Sequence, residues 1–192
     1  MRESQSVFIR RKLGIAFLMI LALGSISITL AQSDKRIEEI RNLYQEVNKK
    51  AAECEANGET SDTFLLEVVV NKNNGSYPAV GIYRSVIKFY YTYGDREKDP
   101  FPKRLLKIVV TTNRSAAVEV TEFLFNENGL PVFYFEKVDN EKRVYVDGGK
   151  PIRMIDGTKQ LELKSKRATE LEREINRRMQ RLLPVFYNSL EN

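Results

Sequence analysis

Three glutamates, Glu119, Glu122 and Glu136, lie in β-branched and aromatic segments, and a facing pair of carboxylates is the acid–base device this chain could offer. The chain has no histidine and a single cysteine, Cys54, so the commonest general base and the thiolate clusters that hold zinc are both missing. Glu119 and Glu122 are three residues apart, which on a regular strand sends them to opposite faces. A carboxylate-dependent hydrolase is therefore kept only as an alternative, and no catalytic residue or cofactor is assigned. Asp95, Glu97 and Asp99 alternate like the opening of a calcium loop, but Pro100 stands where the turn glycine belongs and Leu106 where the closing glutamate belongs. That segment reads as a solvated loop, and no metal site is expected.

Aromatic residues supply the other candidate chemistry. In the run Phe89-Tyr90-Tyr91-Thr92-Tyr93, strand alternation puts Phe89, Tyr91 and Tyr93 on one face and Tyr90 on the other. Phe133 and Phe135 likewise oppose Tyr134. If helices cover only one face of the sheet, Phe89, Tyr91, Tyr93, Phe133 and Phe135 are the candidate surface for a protein partner or an apolar ligand. The competing expectation is ordinary cross-strand core packing with hydroxyls at the rim.

The elements that must position these residues follow from periodicity. Ile37, Ile40, Tyr44, Val47, Ala51 and Cys54 alternate spacings of three and four, which predicts a helix over residues 34–57 with Cys54 on its buried stripe. Residues 63–156 then change to β-branched and aromatic runs separated by turn clusters such as Asn126-Glu127-Asn128-Gly129 and Asp147-Gly148-Gly149. Short loops between successive strands predict an antiparallel meander of about six to seven strands. Pro131 and Pro151 each follow such a turn, where no ladder hydrogen bond is lost. Helical spacing returns with Ala168, Leu171, Ile175, Met179, Leu182, Leu183 and Phe186, predicting a C-terminal helix from about 165 to 183, with Pro184 at its end or at a kink and Thr169–Glu172 as a capping box. The fold class is thus α+β, an antiparallel sheet flanked by an N-terminal and a C-terminal helix. Residues 33–62 carry a net charge of −3 and residues 157–192 a net +3, which hints that the two helices lie near each other on the sheet.

The first 31 residues set the compartment. Arg2, Arg10, Arg11 and Lys12 precede the apolar run Leu13 to Leu23, and Thr29-Leu30-Ala31 supplies the small residues of a cleavage site. This predicts a signal peptide over 1–31, export through the general secretory route, and one α+β domain over 32–192 in the periplasm or outside the cell. Gln32 follows the expected cut, not a cysteine, so no lipid anchor and no stable membrane anchor are expected after cleavage. The leader carries a net +3 of the chain's +5, leaving +2 with acids and bases interleaved. A nucleic-acid binder would instead cluster its bases on one face, so no nucleic acid is expected as partner.

The order of parts carries one resemblance. An export signal precedes an Ile-rich helix with Tyr44, then Val118-Glu119-Val120-Thr121-Glu122-Phe123-Leu124-Phe125, Leu130-Pro131-Val132-Phe133-Tyr134-Phe135 and Arg143-Val144-Tyr145-Val146-Asp147-Gly148-Gly149-Lys150-Pro151-Ile152-Arg153. This resembles a loose group of small exported bacterial α+β proteins without known function. The resemblance implies an exported α+β domain and brings no catalytic residues. The resulting expectation is a non-catalytic interaction or ligand-binding domain using one face of its sheet, with a carrier of a lipid or other apolar molecule in a curved-sheet cavity as the alternative.

Overall fold

A computed structural model describes residues 33–58, 62–78, 81–95, 97–98, 101–114 and 117–190. The expected signal peptide lies outside the described residues. Helix α1 covers residues 33–57. Among the described residues nine strands follow: β1 (Phe64–Val70), β2 (Ser76–Tyr77), β3 (Gly81–Tyr93), β4 (Pro102–Arg114), β5 (Ala117–Phe125), β6 (Pro131–Lys137), β7 (Glu141–Asp147), β8 (Lys150–Asp156) and β9 (Lys159–Leu161), and then helix α2 (Ser165–Leu190). The described residues divide after Glu39, and the sheet, α2 and α1 from Ile40 onward form one compact unit.

The sheet runs β1-β3-β4-β5-β6-β7-β8-β9, antiparallel throughout, with β2 also paired to β3. This is the α+β meander expected from the short turns, extended by the two-residue β2 and the three-residue β9. Gly148 and Gly149 both hold positive φ (55° and 79°), the conformation a tight two-residue hairpin needs and side chains resist. Pro131 opens β6 and Pro151 sits near the start of β8, and each pairs beside a register shift, where a missing N–H costs the ladder nothing.

Register decides which side chains share a face. Leu66, Phe89, Ile108, Phe123, Tyr134, Val144 and Met154 form one continuous row across seven strands. From Phe89 to Met154 every member is buried, and the row packs with Leu171, Ile175 and Phe186 of α2. The adjacent row, Leu65, Tyr90, Lys107, Leu124, Phe133, Tyr145 and Arg153, points to the opposite face. Along it lies α1, with the Tyr44 ring tilted against Phe133 at 5.1 Å between centroids. The helices therefore cover opposite faces, so the opposite net charges of the two segments do not reflect proximity. Charges also pair within each helix, as Lys50–Glu46 and Arg178–Glu174 do.

Helix α2 also runs past the expected end at 183. Pro184 lies inside it and the helix continues to Leu190. An internal proline costs a helix about 3 kcal/mol, and the ring of Phe186, 5.4 Å from Phe89 and 5.3 Å from Tyr91, supplies the compensating burial. The helix starts at Ser165, and the expected capping box does not form. Ala168 N–H already donates to the Lys164 carbonyl (2.9 Å), so Thr169 is one turn inside the helix, where its hydroxyl donates to the Ser165 carbonyl instead of capping.

Candidate functional site

On the α1 face, Tyr44, Asn48, Ala51 and Glu55 are spaced four, three and four residues apart, so they form one helical stripe facing the sheet. Opposite them, β3, β4 and β5 present Tyr90, Lys107 and Glu122. These seven residues, with Ala52, Ala56 and Val109, line an open groove of about 690 Å³.

The floor of the groove carries a charged cluster, with Lys107 set between Tyr90 and Leu124 in its row. Lys107 is only 5 % exposed. Its ammonium is 2.9 Å from Glu122 Oε2, donates to Asn48 Oδ1 at 2.7 Å and lies 4.8 Å from the centre of the Tyr44 ring. The Tyr44 hydroxyl donates to the same Glu122 oxygen at 2.7 Å. Burial and that hydrogen bond to a carboxylate push the Tyr44 hydroxyl up to about 12. A second cluster borders the first: Lys88 Nζ donates to Glu55 Oε2 at 2.8 Å and the Tyr90 hydroxyl donates to Glu55 Oε1. Hydrogen bonds from Lys88 and Tyr90 hold the Glu55 carboxyl below its ordinary value, while burial drives Tyr90 upward. Beside the groove, Arg41 and Arg143 flank a smaller cleft of about 160 Å³ floored by Phe133 and Tyr145.

The five aromatic residues expected to form one surface are divided between faces. Phe89 and Tyr91 are buried against Phe186 of α2, and Tyr93 is half-buried, edge-on to Phe64 at 4.9 Å. Phe133 is buried under Tyr44, and Phe135 is half-buried with the Arg143 guanidinium 5.8 Å from its ring centre. Tyr90, read from the sequence only as the opposite of its neighbours, is the member of that run that borders the groove.

The three glutamates do not converge either. Glu122 faces α1. Glu136 faces α2, where Lys142 (2.6 Å) and Arg178 (2.7 Å) hold it, and Glu119 pairs with Arg114 at 2.7 Å. Burial alone would raise the Glu136 carboxyl, but the hydrogen bond from Lys142 and the charge of Arg178 outweigh it and the net shift is downward. Arg178 and Glu136 thus clamp α2 to the sheet. Among the described residues no group of three or more Cys, Asp or Glu side chains is placed to hold a metal ion, and no helix is long and apolar enough to cross a membrane.

Lys107 was missed from the sequence. Its signal was a single cation inside Leu105-Leu106-Lys107-Ile108-Val109-Val110, where a buried ammonium requires a carboxylate on a neighbouring strand. No family model, curated protein or solved structure matches this chain.

Proposed function

We propose that this chain is a non-catalytic binding domain, working outside the cytoplasm, that takes a small ligand in the groove between α1 and the sheet. The observation that carries the reading is the buried Lys107–Glu122 pair on the groove floor. A buried ion pair is commonly no more stable than well-packed apolar residues of the same volume. The surrounding row of Leu124, Phe133 and Tyr145 supplies just such packing, so the fold alone gives no reason for charge at this point.

The groove's chemistry favours binding over catalysis. Tyr44 and Tyr90 hold their protons well above neutral pH, and Glu55 stays ionised well below it. None of these three groups is poised to exchange a proton near pH 7, as a general acid or base must. The Tyr44 hydroxyl and the Lys107 ammonium both contact Glu122 Oε2, so Oε1 is the carboxylate oxygen that a ligand donor would meet among the described residues. The ligand class that fits carries an N–H or O–H donor for this oxygen and an apolar body to lie against Ala51, Ala52 and the Tyr90 ring. The proposed site thus moves from an open sheet face to a helix-bordered groove.

Native mass spectrometry of the protein recovered from its host's envelope tests this. A bound small molecule is expected on the native chain and is expected to be absent from a folded Lys107→Met/Glu122→Leu double variant. Equal ligand occupancy in both proteins, or none in the native chain, overturns the groove as the site.

A further inference from the structure

The two edges of the sheet are unequal. At one end β9 is three residues long, fully exposed, and begins with Lys159, the kind of short charged edge that discourages further pairing. At the other end β1 is seven residues long, Phe-Leu-Leu-Glu-Val-Val-Val, with no proline, no lysine and no register shift against β3. Its apolar side chains are half-buried except Val70, which is exposed, whereas β6 in the middle of the sheet buries nearly every residue. Half-burial on both faces is what a strand shows when a neighbour is present on one side only.

One charge interrupts this edge. Glu67 is exposed and stands directly across from Lys88 in the register. The Lys88 ammonium, however, is taken by Glu55 of α1 at 2.8 Å, and Glu67 makes no ion pair among the described residues. Glu67 and Glu55 line the same cleft of about 420 Å³, together with Leu65, Phe64, Cys54 and Lys88. Leu65, Glu67 and Val69 all point to this side of the strand.

We infer that β1 accepts an extended segment of a partner protein by strand addition, with a lysine or arginine of that segment placed opposite Glu67 and apolar side chains placed against Leu65 and Val69. Backbone pairing gives such an interface its affinity, and the cleft gives it the choice of side chain. A second copy of this chain is the poorer occupant. An antiparallel β1–β1 pair centred on its two-fold axis sets Glu67 against Glu67 of the other copy, and like charges directly opposite destabilise a strand pair. This inference stands apart from the groove: it uses the sheet edge and Glu67, not Lys107 or Glu122.

The probe is the capped peptide Thr-Val-Thr-Lys-Thr-Val-Thr, compared with the same peptide carrying Glu at its centre, each titrated into the isotope-labelled protein and followed by backbone NMR. The lysine peptide is expected to shift the amides of Leu65 to Val70 and slow their hydrogen exchange, and to bind roughly fivefold to tenfold more tightly than its glutamate counterpart. Glu67→Gln, at an exposed position, is expected to keep the fold and abolish that preference. Three results overturn the inference: no shift of β1 amides up to the solubility of the lysine peptide, equal affinity for the two peptides, or a dimer in sedimentation analysis whose β1 amides are already protected.

Discussion

Lys107 and Glu122 lie on neighbouring strands but are not register partners: Lys107 faces Leu124 and Glu122 faces Val109, so their 2.9 Å ion pair spans the ladder diagonally. Diagonal neighbours come within reach only when one side chain is long. Lysine on β4 meets that condition, and α1 closes over the pair by adding Asn48 and Tyr44.

Removing one member strands the other. Lys107→Met leaves Glu122 with Tyr44 alone and is expected to cost about 3–5 kcal/mol. The double variant Lys107→Met/Glu122→Leu is expected to lie near the native stability or up to roughly 1–4 kcal/mol above it. Urea unfolding of the single and double variants gives both values, and a double variant as unstable as the single one would show that the pair is a structural necessity.

The docking of α2 rests on few residues. Phe186 is 1 % exposed and touches both Phe89 and Tyr91. Phe186→Ala is expected to destabilise by about 3–5 kcal/mol, with the helix beyond Pro184 fraying first because its packing anchor is gone. Hydrogen exchange along α2 reads this directly. A loss confined to the residues before Pro184 would contradict it.

Acid and alkali act on different groups. Glu55 and Glu136 have folded-state carboxyls below the ordinary value of 4.5, so the stability they contribute is present above that pH and is lost as pH falls through the lowered values. Tyr44 is the reverse case. Its hydroxyl is raised from 10.0 to about 12, so its contribution is complete below pH 10 and disappears as pH climbs toward 12. With no histidine in the chain, stability is expected to be nearly flat between about pH 5 and 9. Denaturant midpoints across the pH range, with tyrosinate absorbance on the alkaline side, measure both limbs.

Cys54 is buried on the inner stripe of α1, and burial followed by the nearby Glu55 carboxylate raises its thiol above the ordinary value. Both effects suppress the thiolate that attacks a disulfide reagent. Ellman's reagent at neutral pH is expected to react with the native protein far more slowly than with the protein in denaturant. Equal rates would place the thiol in solvent.

What was legible in advance was periodic or local. The spacing of Ile40, Tyr44, Val47, Ala51 and Cys54 defines α1, and the glycine and asparagine turns define an antiparallel meander, because helix and hairpin formation depend on residues close in the chain. Alternation likewise separated Tyr90 from Phe89 and Tyr91. The tertiary structure alone decided which helix covers which face, since a sheet with apolar residues on both sides accepts a helix on either. It also decided that Phe133 and Phe89 belong to different faces, because their relation passes through the registers of β4, β5 and β6. The groove was hidden for the same reason. Lys107 lies 59 residues from Asn48, and Glu122 lies 78 from Tyr44. A buried ammonium and the carboxylate that neutralises it meet through strand pairing and helix docking, neither of which leaves a mark in local spacing.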